Sequence, residues 1–486
     1  MSDPGDILER LRRLRAEDAP THGGRVMSYV YDSGRPELDD LADAAARLAR
    51  PLNGLDPTVF PSISAMERDV VAFAKRMLHG GGSVVGSITS GGTESCLLAV
   101  KTARDLWRRS HPEAPAGSRP RLVTTTAVHA AFQKAAALFD LDWDPVPVGA
   151  SGHARASDLI ARLGDDAALV VVSAPAYPTG VLDPVAEVAA AASARGISCH
   201  VDACFGGFVL PWWPGLPDWD FRVRGVTSIS ADLHKFGYAP KGVSVLLHRG
   251  LRRHRAQFFA TTRWSGYPVV NPTLLGSKSA SPLAAGWAIM QHLGSSGYAD
   301  LVGSITRAAA AVRAAVDGIP GLTMLGDPVG PAIAVVADLS APEGERVDPH
   351  RLADALVGYG WKIQHQPGLM QADGVRIPHS AHLTLTPVLE QGVHEFTAAL
   401  VAASDSVRGK PQADAGMLLA GMRMLGYGDG GRVPGPAAAW RLLRLAGTGK
   451  VSPDQPMAVL MALIEQLPHE VSEALLAELL ARMSEP

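Results

Sequence analysis

The chain has few cysteines, little excess charge and no long hydrophobic run. Its 486 residues carry a formal net charge of -3, and no basic–aromatic cluster indicates nucleic-acid binding. No apolar run reaches the roughly 18 residues that a membrane-spanning helix needs. The start, MSDPGDILERLRRLRAED, is charged from its third residue and lacks the apolar core of a signal peptide. These absences predict a cytoplasmic protein with no transmembrane segment and no nucleic-acid partner.

Two further classes of site lack their usual sequence signatures. The cysteines Cys96, Cys199 and Cys204 have no CxxC spacing, so neither a disulfide framework nor a metal site is expected. The glycine turn of SITSGGTES has neither the GK[ST] of a P-loop nor the GxGxxG of a Rossmann fingerprint. Any phosphate-binding site must therefore be recognised from other residues.

The pattern of apolar runs divides the chain into four regions. Between residues 61 and 303, short apolar runs alternate with alanine-rich helical segments, which predicts an α/β domain with a mostly parallel sheet. Residues 304–410 alternate between helix and strand patterns and form a smaller α+β domain. Residues 1–60 have the pattern of an N-terminal arm. Residues 411–486 are mostly helical, with a glycine-rich break at 428–436.

Chemically capable side chains follow three of the apolar runs. His129 follows RLVTTTAV, Asp202 ends ISCHVD, and His234–Lys235 follows VTSISA. Each alone has an ordinary interpretation as a surface histidine, a cap or a solvated lysine. In a parallel sheet, however, the carboxyl ends of the strands meet at one edge. A carboxylate that keeps a pyridine nitrogen protonated, a Schiff-base lysine and a stacking histidine suit pyridoxal phosphate.

A phosphate site is predicted in SITSGGTESCLLAVKTARDLW, residues 87–107. This segment has the pattern of a strand, a glycine turn and a helix. Gly91 and Gly92 allow close backbone approach, and Thr93 and Glu94 open a helix whose free N–H groups attract an anion. Alone this is weak evidence, but in this order with the histidine, aspartate and lysine it is much stronger.

These motifs resemble those of pyridoxal-phosphate decarboxylases of fold type I, and most closely the sphingosine-1-phosphate lyases among them. The resemblance rests on SGGTES, VHAAFQKAA, VDACFGGF and SISADLHKFGYAPKG. It extends through NGLDPTVFPSISAMERDVV, NPTLLGSKSA, GWKIQHQP with HLTLTP, and AGMLLAGM. It implies the transferase fold of that type, with a large domain of mostly parallel sheet flanked by helices and a smaller α+β C-terminal domain.

The resemblance also implies roles for individual residues. Lys235 is the implied Schiff-base lysine, Asp202 the partner of the pyridine nitrogen and His129 the stacking ring. The implied helpers in cofactor binding are Gly92, Thr93 and His234. Gly276 and Ser277 match residues that reach the cofactor phosphate of the partner subunit, which implies a homodimer with its active site at the subunit interface.

Two residues match positions near the substrate of the lyases. Lys241 or Tyr31 is expected to handle the proton of a substrate 3-hydroxyl, alongside the catalytic residues Lys235 and His129. A lysine serves as a base only with a lowered pKa, which requires burial or a cationic neighbour. If Lys235 and Lys241 lie close together, each is the cationic neighbour that lowers the pKa of the other.

The chain departs from the lyases at Asp56 and Lys278, where substrate recognition is expected. Together with Asn53 and Tyr31, these are the candidate substrate-binding residues. The lyases have NPLHPD where this chain has NGLDP, so that Asp56 stands in place of a histidine. A carboxylate there repels a phosphomonoester. Lys278 stands in place of an arginine and keeps the charge without the bidentate fork.

Several functions remain open at this point. The first is a carbon–carbon lyase that splits a 3-hydroxy-2-amino compound, such as a phosphorylated sphingoid base, into an aldehyde and an amine. Asp56 and the missing arginine motivate the alternative, an L-amino-acid decarboxylase, and another pyridoxal-phosphate transferase or lyase is also compatible. A cofactor-free scaffold is disfavoured, because Lys235, Asp202 and His129 are all present.

Overall fold

A computed structural model of the chain describes residues 3–115, 117–427, 432–445 and 456–485. Its large sheet has 7 strands. These are β1 Val84–Thr89, β2 Arg121–Thr125, β3 Asp142–Val146, β4 Ala167–Ser173, β5 Ser198–Asp202, β6 Ser228–Ala231 and β7 Ser244–Arg249. Their order is β1-β7-β6-β5-β4-β2-β3, so neighbours in the sheet are mostly joined by crossovers.

The sheet is parallel from β3 to β6, and β7 runs antiparallel to both of its neighbours. Every residue of β4 is buried, as expected for a strand covered by helices on both faces. Helices of this part of the chain are α1 Pro4–Arg15, α2 Pro36–Ala49, α3 Pro61–Met77, α4 Gly92–Ser110, α5 Ala131–Phe139, α6 Ala156–Ala161, α7 Val185–Ala194 and α8 Leu251–Gln257. The predicted α/β fold is confirmed.

The predicted arm divides into two parts that behave differently. No residue of α1 is buried. Helix α2, in contrast, packs along a later long helix and buries Leu38, Ala42 and Ala49 in the main core. The second half of the arm is therefore part of the core, because the amphipathic pattern of α2 supplies an apolar face.

A long helix connects the large domain to the small one. Helix α9 runs over Ser281–Asp317 and changes direction at Gly294, whose φ of 54 and ψ of -166 are not helical. The predicted domain boundary at residue 303 lies inside this helix. Alanine-rich sequence after this glycine explains why the helix continues past residue 303.

The small domain contains a 4-stranded sheet in the order β10-β11-β15-β12, with all pairs antiparallel. Two hairpins, β8–β9 and β13–β14, lie outside the two main sheets. The remaining strands are β8 Phe259–Thr261, β9 Val269–Asn271, β10 Leu322–Met324, β11 Ala332–Ala337, β12 Gln364–Gln366, β13 Leu369–Met370, β14 Arg376–Ile377 and β15 Ser380–Thr384. The helices of the small domain are α10 Pro349–Val357 and α11 Leu389–Val407.

The C-terminal extension consists of helices with their own apolar cluster, which includes Leu419, Leu442 and Leu463. It meets the small domain where Asp354 accepts the backbone N–H groups of Met457 and Ala458 at 2.8 and 3.2 Å. Its helices are α12 Gly416–Met424, α13 Pro436–Leu445, α14 Ala458–Gln466 and α15 His469–Ser484. The first four residues of the predicted break, 428–431, lie outside the described residues.

Within the described ranges, no helix combines the length and apolar character needed to cross a bilayer.

Candidate active site

The carboxyl ends of β2, β5 and β6 border one cavity of about 390 Å³. Helix α4 begins at the same place, and segments of the arm and the small domain complete the walls. The predicted residues that line this cavity are Tyr31, Gly92, Thr93, His129, Asp202, His234 and Lys235. The strand ends therefore converge on one site, as expected for a parallel sheet.

An ion pair fixes Lys235 in the cavity. The Nζ atom of Lys235 lies 2.9 Å from Oδ2 of Asp232, the residue that follows β6. Burial by itself would lower the pKa of Lys235, but its neighbours, with the negative charge of Asp232 first among them, together raise the pKa above its ordinary value. Ser244 donates a hydrogen bond to Asp232 at 2.7 Å, so the carboxylate is itself held in place. Sequence analysis missed Asp232, although it follows its strand as directly as Asp202 ends β5.

Asp202 and His129 face the cavity from neighbouring parts of the sheet. The carboxylate of Asp202 is 8% exposed and accepts the backbone N–H of Cys204 at 3.1 Å. This hydrogen bond occupies Oδ1 and orients the group. His129 is exposed beyond the end of β2, and its Nδ1 accepts the backbone N–H of Ala131 at 3.2 Å. A planar ring that enters the cavity can therefore stack on an imidazole and meet a carboxylate.

The N-terminus of α4 comes close to the ionised groups of the cavity. A Cβ atom on Gly92 would lie 2.6 Å from Oδ2 of Asp232 and 3.0 Å from Sγ of Cys204. No residue larger than glycine fits there without displacement. The free N–H groups at the start of the 19-residue helix attract an anion.

His234 is held as a neutral ring beside the lysine. Its Nδ1 donates to the carbonyl of Val243 at 2.9 Å, and burial lowers its pKa below the ordinary value. Its Nε2 lies 3.6 Å from Oδ2 of Asp232. His234 therefore packs between the β6–β7 connection and the ion pair.

Lys241 lies at the edge of this cavity, where its side chain contacts Tyr31 of the cavity wall. Its Nζ donates to the carbonyl of His234 at 2.9 Å and lies 4.6 Å from the centre of the Tyr31 ring. Although the residue as a whole is exposed, burial of its nitrogen and then the charge of Lys235 lower the pKa of Lys241 to about 8. The two lysines were expected to lower each other's pKa. Only the pKa of Lys241 is lowered, because Asp232 raises the pKa of Lys235. Burial raises the pKa of Tyr31 far above its ordinary value, so Tyr31 stays a neutral phenol.

Three of the polar cavity residues that were not predicted are joined by hydrogen bonds: Tyr29, Tyr177 and Gln364. Tyr177 donates to Oε1 of Gln364 at 2.6 Å, and Nε2 of Gln364 donates to Tyr29 at 2.9 Å. Gln364 belongs to β12 of the small domain. The GWKIQHQP motif marked this strand, but only the docking of the small domain brings the glutamine to the cavity.

The other predicted residues lie together elsewhere on the chain. Asn53 donates to Oγ of Ser277 at 3.1 Å, and its Oδ1 accepts the N–H of Lys278 at 3.3 Å. Asp56 and Lys278 line a different cavity of about 800 Å³. Gly276 and Ser277 are exposed. Within a single chain, these five residues are therefore not brought to Lys235.

The cysteines include a pair that the sequence spacing did not indicate. Potential ligand atoms of Cys96, Cys204 and Asp202 lie within 4.8 Å of one another. Contact with Cys96 and burial raise the pKa of Cys204 well above its ordinary value, so its thiol stays protonated. It donates to Ser230 at 3.2 Å.

The cavity fits pyridoxal phosphate on several independent grounds. It contains a partly buried lysine, a carboxylate at a strand end and an exposed imidazole. Gly92 leaves space where a Cβ atom would collide with Asp232 and Cys204. The helix N-terminus provides a place for the phosphate.

Comparison with known proteins agrees with this geometry. The model of the "Pyridoxal-dependent decarboxylase conserved domain" matches residues 41–318. The chain belongs to this family. Its cofactor is pyridoxal phosphate, and it is an enzyme, a lyase that acts on a small-molecule substrate. A second model, named for a C-terminal HTH domain of pyridoxal-dependent enzymes, matches residues 423–482.

The curated relatives include sphingosine-1-phosphate lyases. The one from Oryza sativa is 32% identical over 440 residues, which are 88% of this chain and 77% of the rice protein. That from Rattus norvegicus is 33% identical over 79% of this chain and 64% of the rat protein. The chain thus spans less than two thirds of the rat protein.

Solved structures extend the comparison to three dimensions. A sphingosine-1-phosphate lyase of Burkholderia pseudomallei has a TM-score of 0.75 and 32% identity, covering 84% of this chain and 92% of that one. A glutamate decarboxylase of Lactobacillus brevis has a TM-score of 0.74 at 20% identity, covering 85% of this chain and 94% of that one. The second likeness supports the fold alone, and the predicted fold type is confirmed.

Proposed function

We propose that the protein is a carbon–carbon lyase that cleaves a 3-hydroxy-2-amino compound, such as a phosphorylated sphingoid base, into an aldehyde and phosphoethanolamine. The observation that supports this most strongly is Lys241. A pKa of about 8 gives it an accessible neutral form near physiological pH, and it packs on Tyr31 in the cavity wall. Cleavage beside a hydroxyl needs a base for the hydroxyl proton, whereas decarboxylation does not.

Each residue has a separate task in this proposal. The cofactor, when bound, supplies an electron sink for the bond broken next to the substrate amine. Lys235 would hold the cofactor covalently, Asp202 would pair with its ring nitrogen and His129 would stack on its ring. The N–H groups at Gly92 and Thr93 would bind its phosphate. These groups bind and orient the cofactor, and none of them accepts the proton of the substrate hydroxyl.

The proton of the substrate hydroxyl would pass to Lys241. A neutral amine with a pKa near 8 accepts a proton reversibly at physiological pH. Tyr31 is suited to a different part, because its raised pKa keeps the phenol protonated. Tyr31 would therefore donate a hydrogen bond to the substrate and shield Lys241 from water.

We infer that the active enzyme is a homodimer, in which Gly276 and Ser277 reach the cofactor phosphate of the partner subunit. Both are exposed, and apolar side chains around them are exposed as well, which is typical of an interface. Asn53 and Lys278 are tied to the same loop and would approach the partner's substrate. The exposed apolar side chains are Phe259, Trp264, Tyr267, Val270, Leu274 and Leu275.

The proposed location is the cytoplasm, as the sequence predicted. All three cysteines are buried and free, including the neighbouring Cys96 and Cys204. Free thiols in contact suit a reducing compartment.

An L-amino-acid decarboxylase is the second candidate, and Asp56 favours it. A side-chain hydrogen bond from Thr58 lowers the pKa of Asp56, so the carboxylate stays charged and disfavours a phosphorylated substrate nearby.

A substrate panel distinguishes the two candidates. The pyridoxal-phosphate form of the protein is offered 3-hydroxy-2-amino compounds and L-amino acids, and aldehyde and carbon dioxide are measured together. Aldehyde without carbon dioxide supports the lyase, and carbon dioxide alone supports the decarboxylase.

A further inference from the structure

A chain of hydrogen bonds joins three separate parts of the protein across the cavity wall. Tyr29 comes from the N-terminal arm, Tyr177 follows β4 of the large domain, and Gln364 begins β12 of the small domain. All three line the cavity that contains Lys235. None of them has a role in the function proposed above.

The amide of Gln364 is the centre of this chain. Its Oε1 accepts from Tyr177 at 2.6 Å, and its Nε2 donates to Tyr29 at 2.9 Å. An amide oxygen accepts two hydrogen bonds and an amide nitrogen donates two. Since the described ranges 3–115, 117–427, 432–445 and 456–485 offer the amide no other partner, one acceptor site and one N–H of Gln364 remain available.

The backbone around Gln364 is held from several sides. In the antiparallel pairing of β12 and β15, Gln364 lies opposite His382. The centres of the Tyr177 and His382 rings are 4.4 Å apart. The next residue, His365, bonds to Asp354 of α10 at 3.0 Å. A strand fixed in this way keeps the amide in one orientation, so it is preorganised for binding.

The remaining N–H of Gln364 suits a hydroxyl oxygen, and the remaining acceptor site accommodates the hydroxyl proton until it is transferred, so the amide matches a hydroxyl group better than an anion. A hydroxyl both donates and accepts, whereas a carboxylate or phosphate only accepts and is best bound by cations. Tyr177 beside the amide is neutral too, because burial raises its pKa to about 12. This part of the wall thus suits an uncharged polar group.

We propose that Gln364 binds the 3-hydroxyl of the substrate and is a specificity-determining residue for hydroxylated amines. This inference rests on the proposed function. The free N–H of Gln364 donates to the hydroxyl oxygen while the hydroxyl proton passes to the neutral amine of Lys241. As the O–H bond breaks and an N–H bond forms, the oxygen gains negative charge, which strengthens the hydrogen bond from the amide.

The test compares two amines that differ only in the 3-hydroxyl. For the hydroxylated substrate, kcat/KM is measured from aldehyde release, and for its 3-deoxy analogue the inhibition constant is measured. Loss of a net hydrogen bond of about 1.4 kcal/mol corresponds to tenfold. We therefore expect Gln364→Ala to lower kcat/KM about tenfold or more and to leave the inhibition constant of the deoxy amine within about twofold.

Two further variants control for structural effects. Gln364→Met keeps the side-chain volume and removes the hydrogen bonds, so it should reproduce the selective loss. Gln366→Ala changes the same strand at a residue whose side chain instead accepts from Ser380 at 2.8 Å. It should leave both constants unchanged.

An equal weakening of both amines in Gln364→Met would overturn the proposal, because it would mean that Gln364 only shapes the cavity. An unchanged kcat/KM would overturn it as well. If the wild-type protein releases no aldehyde, the proposed lyase fails, yet both amines then serve as stable ligands. The ratio of their dissociation constants, read from the cofactor absorbance, still tests whether Gln364 recognises the hydroxyl.

Discussion

Asp232 and Lys235 show how neighbouring side chains decide charge in this site. Burial and the opposite charge of Asp232 act in opposite directions on the pKa of Lys235, and its neighbours together raise that pKa. For Lys241, burial and the charge of Lys235 act in the same direction and outweigh the smaller opposing effect of Asp232, so its pKa falls. Two lysines six positions apart therefore differ in ionisation and can perform different tasks.

Lys235 is predicted to be the attachment point of the cofactor. Lys235→Ala should remain folded and bind pyridoxal phosphate only non-covalently, because no other lysine lines the cavity in the described part of the chain. Borohydride reduction followed by mass spectrometry measures covalent attachment. The exposed Lys134 provides the control, since Lys134→Ala should retain full attachment. Covalently attached cofactor in Lys235→Ala would refute the assignment of Lys235 as the attachment point.

Lys241 is predicted to control the acid limb of the pH profile. As a base it acts in its neutral form, which increases as pH rises through the pKa of about 8. We expect kcat/KM to rise below that pH and level off above it. Lys241→Gln should lower kcat by roughly 10²- to 10⁴-fold and abolish this limb. Lys134→Gln is the control and should keep the limb. If Lys241→Gln keeps the limb as well, the titration belongs to another group.

At the scale of elements, the start of α4 depends on one small residue. The helix reaches the cavity because Gly92 lets its backbone approach Asp232 and Cys204. The helix pattern and the preceding glycine turn were recognisable in the sequence. The close contact was not, because it joins α4 to the segments after β5 and β6, which are more than 100 residues away in sequence.

Gly92→Ala should weaken cofactor binding. A Cβ atom at 2.6 Å from Asp232 forces a shift of the helix start, and overpacking of this kind costs about 1–3 kcal/mol. That corresponds to roughly 5- to 150-fold in affinity for pyridoxal phosphate, measured by fluorescence titration of the apoenzyme. Gly81→Ala is the matched control, because nothing lies within 4 Å of its added Cβ. Equal affinities in the two variants would contradict the role of Gly92.

At the scale of the whole molecule, the predicted site residues divide into two groups. One group surrounds Lys235, and the other lies around Asn53, Asp56 and Lys278. A homodimer in which the second group serves the partner's site would explain why a single chain separates them. The exposed apolar residues near Ser277 would then be buried.

Mixed dimers test this division. Lys235→Ala should be inactive, and Ser277→Glu should lose most of its activity because a carboxylate repels the cofactor phosphate. If Ser277 serves the partner's site, a mixed dimer of the two variants has one site with both substitutions and one intact site. Activity should therefore reappear on mixing after dissociation and reassociation. No recovery, with dimers confirmed by light scattering, would place Ser277 in its own subunit's site.

The sequence predicted those parts of the site that depend on strand order alone. His129, Asp202 and Lys235 follow apolar runs, and parallel pairing brings such positions to one edge. Gln364 was missed because its position depends on how the small domain docks on the large one, and Tyr177 because it lies beyond the end of β4 rather than directly after it. The burial of α2 was missed because it depends on packing against α9, which lies far away in sequence.

The most direct test is product analysis with a phosphorylated long-chain 3-hydroxy-2-amino base. The account predicts a long-chain aldehyde and phosphoethanolamine in equal amounts, with Asp56 tolerated near the substrate. No aldehyde from protein that holds its cofactor on Lys235, together with carbon dioxide from an L-amino acid, would contradict the account. That result would make the protein a decarboxylase.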